Sequence, residues 1–282
     1  MHVMSFADIP IDRVREFWDR RPCNIRHSAS PVGTRQYFDE VEARKYFVEP
    51  HIPGFAEFDR WKGRRVLEIG CGIGTDTMNF ARAGAHVTAV DLSGASLDVA
   101  RQRAAVFGLD ERVRFLQADA ERLAERLSGE TFDLVYSFGV IHHSPHPDRI
   151  LGQIGRLLEP GGCLKLMVYH RYSWKVLAIV LGEGRGRFWQ LDRRVAENSE
   201  AQTGCPVTYC YSRRQLADLI GDRYRIDRMF VDHIFPYRIA DYVQYRYRKV
   251  WYFRYLPAAV FRWMERRWGW HLCVTATMTR RG

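Results

Sequence analysis

The chain has 282 residues, a net charge of +10 and 46% apolar side chains. That length buries a sizeable core, as one large domain or a domain with a substantial cap, and the apolar content is that of an ordinary globular protein. The composition argues against a membrane-spanning class, since the longest apolar stretch, near Val176–Leu181, is far too short to cross a bilayer.

The start, Met1-His-Val-Met-Ser-Phe-Ala-Asp8, has no basic segment followed by an apolar run, so no secretion signal is expected. Residues 1–60 are rich in aromatics, among them Phe17, Trp18, Tyr37, Phe38, Tyr46 and Phe47, and a helix is predicted from about Tyr37 to Val48, stopped by Pro50.

The first core strand follows. Arg65-Val-Leu-Glu-Ile-Gly-Cys-Gly-Ile-Gly-Thr-Asp76 runs an apolar strand into a turn with Gly70, Gly72 and Gly74 just after Glu68. Glycine accepts positive φ and has no Cβ, so the backbone folds tightly and a ligand can touch it. A helix opening at Thr75 points unsatisfied N–H groups at such a ligand, which suits a nucleotide-like cofactor. The turn departs from the dinucleotide pattern G-x-G-x-x-G, because Thr75 stands where the third glycine belongs. By itself the turn also fits a plain strand-to-helix connection with no ligand.

Three more strands change that balance. His86–Ser93 ends around Asp91, about 20 residues beyond the first glycine, where a carboxylate suits a ribose diol. Arg112–Asp119 ends on an acid placed to accept from an adenine amino group, and Phe132–Gly139 leads into Val140-Ile-His-His-Ser144. Four strands with polar or glycine ends at one edge form one ligand crevice. Beyond them, Pro147 suits the first turn of a helix carrying Ile150, Leu151, Ile154, Leu157 and Leu158 on one face. Pro160-Gly-Gly162 ends that helix, and Cys163–His170 reads as a fifth strand.

Residues 171–210 break the alternation and suggest an inserted cap containing Trp174, Phe188 and Trp189. Ser212 caps another helix, and strands are predicted at Ile226–Phe235 and His271–Thr279. Between them, Tyr237–Trp270 carries twelve aromatics in thirty-four residues with interleaved arginines. From Pro236 to Gly282, ten Arg or Lys face only Asp241 and Glu265, so +8 of the net charge lies there. Three readings stay open for this stretch: helices walling an acceptor pocket, a seat on a membrane surface or amphipathic substrate, or stacking on nucleic acid. The six cysteines are scattered and fit reduced cytosolic thiols, and no HExxH or two-Cys-two-His spacing suggests a metal.

Together these residues resemble the class I S-adenosylmethionine-dependent methyltransferases, especially the small-molecule branch that includes quinone-biosynthesis enzymes. The likeness covers roughly residues 60–170 well. It implies an α/β fold with a Rossmann-like, seven-stranded, mostly parallel sheet, helices on both faces, and N- and C-terminal additions. The expected division is an N-terminal lid at 1–60, a cofactor-binding core at 61–170, and a remainder at 171–282 with cap insertions at 171–210 and 236–270. In that frame the turn residues Glu68, Gly70, Cys71, Gly72 and Gly74 lie under the methionine part and ribose. Asp91 holds the ribose hydroxyls with Leu92 against the adenine. Asp119 and Ala120 address the adenine edge, and Phe138 to His143 line the methyl-donor side.

The cofactor is then S-adenosyl-L-methionine and the partner an aromatic, anionic or amphipathic small molecule, with O- or N-methylation favoured. His143 is the candidate general base, and Tyr37, Tyr242, Tyr245 and Trp251 are candidate acceptor contacts. A cytoplasmic location follows, with peripheral membrane contact and a quinone or lipid C-methyltransferase kept as alternatives. A nucleic-acid methyltransferase is disfavoured, because Ser137-Phe-Gly-Val stands where base-methylating enzymes commonly carry Asn/Asp-Pro-Pro-aromatic.

Overall fold

A computed structural model of the chain describes residues 5–182, 191–198 and 204–279. Phe188 and Trp189 of the expected cap lie outside the described residues. Eight strands form one sheet: β1 (Arg65–Ile69), β2 (His86–Asp91), β3 (Val113–Gln117), β4 (Phe132–Phe138), β5 (Leu158–His170), β6 (Cys210–Tyr211), β7 (Tyr224–Asp232) and β8 (His271–Met278). Their order is β3-β2-β1-β4-β5-β8-β7, with β6 pairing on β5. Pairing from β3 across to β5 is parallel, while β8 runs antiparallel to both β5 and β7.

Period-2 alternation explains why helices cover both faces. Val66, Val87, Ala89, Leu134 and Tyr136 join one buried cluster, whereas Leu67, Ile69, Val90 and Val135 join the other. The strand order reverses between β1 and β4, and at such a switch point the carboxyl ends of the strands leave a crevice.

Helix ends follow the local chemistry. Pro147 sits in the first turn of Pro147–Leu157, and Ser212 closes a capping box with Gln215 on Arg213–Ile220. The helix expected near Tyr37 spans Arg35–Val48, with Thr34 accepting from Tyr37 N. It is bolted to the helix Thr75–Arg82, which follows the glycine turn, by buried polar contacts. Asp76 accepts from Lys45 Nζ at 2.8 Å, Tyr46 Oη at 3.0 Å and Tyr136 Oη at 2.9 Å. Arg103, fully buried, donates to Thr75 Oγ1, Phe38 O and Glu42.

The sheet differs from expectation in three places. The two-residue strand β6, too short to show a period, adds to the end of β5 through Tyr169↔Cys210 and His170↔Tyr211. β5 begins at Leu158, before Pro160-Gly-Gly162, because Leu158 already pairs with Phe132 ahead of a register shift. β7 stops at Asp232, since His233 turns out of the strand at φ +71. The aromatic segment folds as short helices, Ile239–Tyr242 and Trp251–Arg254, and then Ala258–Trp268, which packs on β7.

Candidate active site

The three turn glycines have different duties. All have positive φ: +76 at Gly70, +54 at Gly72 and +75 at Gly74. A Cβ on Gly70 would come within 2.2 Å of Val140 Cγ2, and one on Gly74 within 3.1 Å of Ala100 Cβ, so these two serve internal packing. A Cβ on Gly72 would meet nothing within 4 Å. Its side-chain space opens outwards, and Gly70, Cys71 and Gly72 all line the crevice.

Glu68 and Gly74 do not line the crevice, contrary to the expected contact role. Glu68 is buried beneath the turn, accepting from Thr77 Oγ1 at 2.5 Å. Burial, then the nearby Asp76 carboxylate, pushes its carboxyl up to about 8.

Asp91 fixes the turn from the next strand. Gly72 N and Ser93 N donate to its two oxygens, each at 2.8 Å. Burial pushes its carboxyl up to about 6 in spite of those donors. One strand further on, Asp119 accepts from Glu121 N at 2.9 Å, and burial raises its carboxyl as well. Leu92, Asp119, Ala120, Phe138 and His143 all line the same crevice. Desolvated carboxylates at adjacent strand ends favour a ligand with hydroxyl, amino or cationic groups.

Residues from outside the core complete the walls. Ile11–Arg20 contributes Ile11, Val14 and Trp18, the following loop Cys23 and Asn24, and Arg35–Val48 with its cap Lys45 and Glu49. The far end is built by Phe138, His143, Met167, Tyr169 and His271. His143 Nδ1 lies 2.9 Å from Val207 O and 3.2 Å from Thr208 Oγ1; the tautomer that donates to the carbonyl leaves Nε2 as the basic nitrogen. Trp18 packs on the His143 ring at 5.3 Å. His142 is fully buried, off the crevice, with its ring against Tyr169 at 3.9 Å, and burial pushes its pKa well below the usual range. His170 also turns away, its Nδ1 lying 3.2 Å from Gly269 O.

The structure places the four acceptor-contact candidates, Tyr37, Tyr242, Tyr245 and Trp251, away from this crevice. Tyr37 is a core residue, its hydroxyl donating to Ile25 O at 2.8 Å and its ring packed with Phe38, Ile73 and Val99. Tyr242 and Tyr245 face Arg44, whose guanidinium carbon lies 4.0 and 4.4 Å from their ring centres. Tyr245 borders a separate hollow with His27, Phe47 and Tyr247. Trp251 is 76% exposed. Among the described residues, none from Tyr237 to Trp270 lines the crevice, so the segment does not wall the pocket. Trp270 acts indirectly, stacking on Tyr169 at 4.0 Å. Sequence reasoning missed Lys45, Glu49 and His271, which no spacing rule joins; the aromatic crowding of residues 1–60 was the available hint for Trp18.

Comparison with known proteins agrees with this geometry. Residues 66–162 match the family described as a methyltransferase domain. The chain is 38% identical over 120 residues to the ubiquinone biosynthesis O-methyltransferase of Nitrosococcus oceani, covering 43% of this chain and 50% of that protein. The same enzyme of Aromatoleum aromaticum gives 38% over 120 residues with the same coverage, so the chain spans about half the length of these relatives. Magnesium protoporphyrin IX methyltransferase from Synechocystis PCC 6803, solved with bound S-adenosylhomocysteine, superposes with a TM-score of 0.59 at 17% identity, over 95% of this chain and 100% of that one. Geranyl diphosphate C-methyltransferase from Streptomyces coelicolor A3(2) gives 0.57 at 14% identity over 98% of both chains. At these identities the likeness to the solved structures is one of fold. The sheet order, the glycine turn and the sequence match coincide on the same stretch, and residues 66–162 are similar to the methyltransferase-domain family.

Proposed function

We propose that the chain transfers a methyl group from S-adenosylmethionine to a hydroxyl, or less readily an amine, of a small molecule bound at the His143–Tyr169 end of the crevice. One observation carries the reading: the open side of Gly72, the carboxylates of Asp91 and Asp119, and the His143 ring all border one continuous crevice. Asp91 would hold the ribose hydroxyls, Leu92 and Ala120 would flank the adenine with Asp119 at its edge, and the turn backbone would pass beneath. The cofactor supplies a methyl on a sulfonium that is already a good electrophile.

The protein's task is therefore to exclude water and aim the acceptor. The N-terminal helix carrying Trp18 closes the crevice in this reading. His143, with Nδ1 fixed on Val207 O, accepts the acceptor's proton at Nε2 as the new bond forms. An oxygen acceptor is favoured because the relatives are O-methyltransferases of ubiquinone biosynthesis. The test is transfer of labelled methyl from the cofactor to a panel of phenols and catechols, with RNA as the comparison. Label entering RNA but no small molecule would defeat the reading.

A second reading concerns where the protein works. Trp251, Tyr255 and Trp263 are 76, 77 and 56% exposed, among Arg246, Arg248, Arg254, Arg266 and Arg267. The helix Trp174–Leu181, with exposed Leu177 and Leu181, abuts this region through Trp174 and Phe253. Among the described residues no helix is long and apolar enough to cross a membrane. We propose that this surface docks on an anionic bilayer, since exposed Trp, Tyr and Arg favour that interface. Co-sedimentation with phosphatidylglycerol vesicles, lost in Trp251→Ser/Tyr255→Ser/Trp263→Ser, is expected; equal sedimentation with neutral vesicles and in the variant would refute it.

A further inference from the structure

Opposite the cofactor end, three side chains distant in sequence converge. Glu49 caps the Arg35–Val48 helix, His233 follows β7, and His271 opens β8. One ligating atom from each lies within 4.8 Å of the other two. His271 Nε2 is 3.5 Å from Glu49 Oε1, and the rings of His233 and His271 are 4.6 Å apart. His233 reaches this position only by leaving the strand at φ +71, held by His233 N on Asp232 Oδ1 and by Trp270 N on His233 O, both at 2.7 Å. Continuing β7 in extended form would have carried its ring elsewhere.

A fourth residue supports the arrangement from behind. His51 Nε2 lies 3.0 Å from His271 Nδ1, which occupies that nitrogen and leaves Nε2 as the one turned to Glu49. Histidines that bind metals commonly use one ring nitrogen for the ion and the other for such an outer partner.

We propose that Glu49, His233 and His271 bind one divalent transition-metal ion, of the zinc or cobalt type, in the wall of the crevice. Two imidazoles and a carboxylate form a borderline donor set that suits such ions better than calcium or magnesium.

The nearby cations are partly engaged elsewhere. Lys45 lies on Asp76 at 2.8 Å, Arg262 on Glu265 at 2.7 Å, and Lys175 over the Trp270 ring at 4.6 Å. Glu49 and His271 line the crevice, so a three-ligand ion keeps an open position towards it. That this position takes an acceptor oxygen rests on the methyl-transfer reading; the binding of the ion does not.

The experiment is titration of chelator-treated full-length protein with Co2+, followed by visible absorption and by equilibrium dialysis. One equivalent should bind with d–d bands typical of nitrogen and oxygen ligands, and Zn2+ should displace it. Glu49→Gln, His233→Gln and His271→Gln should each abolish the bands, and His51→Ala should weaken binding about 10–100-fold. Circular dichroism and S-adenosylhomocysteine binding on the same samples report folding and the cofactor site, so loss of metal with intact cofactor binding leaves methyl transfer standing. Glu49, half-buried at a helix end, gives the variant least prone to misfold. The proposal is overturned if the wild-type protein shows no saturable Co2+ binding, or if folded Glu49→Gln and His271→Gln proteins bind Co2+ as tightly as wild type.

Discussion

The two ends of the crevice are built by opposite strategies. The glycine-turn end is local: Gly70, Gly72, Asp91 and Asp119 sit at or just after the ends of successive strands, each a short step in sequence from the next. The opposite end is assembled from Glu49, His143, Tyr169 and His271, which meet only because β8 inserts antiparallel beside β5 and a helix ahead of the sheet folds back over it. A local site survives as a spacing pattern, whereas a long-range site exists only in the fold.

The comparison is sharpened first at the His143 end. His143→Ala should lower turnover about 10²–10⁴-fold if the acceptor is a hydroxyl, with a much smaller change in cofactor affinity. Wild-type turnover with the true acceptor would return His143 to a packing role.

Next in size is the joint between the two regions. Asp76→Ala leaves Lys45 without its 2.8 Å partner in a buried site and should cost about 3–5 kcal/mol in denaturant unfolding. A loss below about 1 kcal/mol would mean that the N-terminal helices are held chiefly by other contacts.

The glycines then test the division of labour within the local end. Gly70→Ala and Gly72→Ala both incur about 1–2 kcal/mol of backbone strain from their positive φ. Gly70→Ala should lose about 1–3 kcal/mol more by driving its methyl into Val140. Gly72→Ala should fold but bind S-adenosylhomocysteine poorly, because Gly72 lines the crevice and its added methyl would meet no protein atom within 4 Å. Equal stability in the two variants would erase the distinction.

The smallest effect belongs to the aromatic surface. Replacing Trp251, Tyr255 or Trp263 by serine should shift stability by no more than about 0.5 kcal/mol each, since these rings are mostly in solvent. A larger loss in thermal or chemical melts would show that the segment is packed after all.

The sequence carried the sheet well because each of the first four core strands is a short, largely apolar run with Gly or Asp at its end or within two residues of it, and because Pro147 and Ser212 mark helix starts by chemistry that needs no tertiary partner. It misled where composition stood in for position. Tyr37 looked like a ligand contact because it is aromatic, but it sits at the start of a helix whose inward face fills a core with Ile73 and Val99. Tyr242 and Tyr245 looked like pocket walls for the same reason, and instead enclose Arg44. His271 reads as the first residue of a β-strand, and only its register opposite Tyr169 and Asp232 brings it to the site.

The most direct test of the central claim is calorimetric titration of S-adenosylhomocysteine into wild-type protein and Asp91→Ala, at neutral pH and at pH 5. Burial pushes the Asp91 carboxyl up to about 6, and ribose hydroxyls bonding to its ionised form would lower that value. Binding therefore favours the deprotonated state, so wild-type affinity should fall as pH drops through about 6, towards that of the variant. At neutral pH, Asp91→Ala should bind about 1–3 kcal/mol more weakly, and NAD should not compete. Unchanged affinity in Asp91→Ala, with no pH dependence that the mutation removes, would contradict the assignment of this crevice to S-adenosylmethionine.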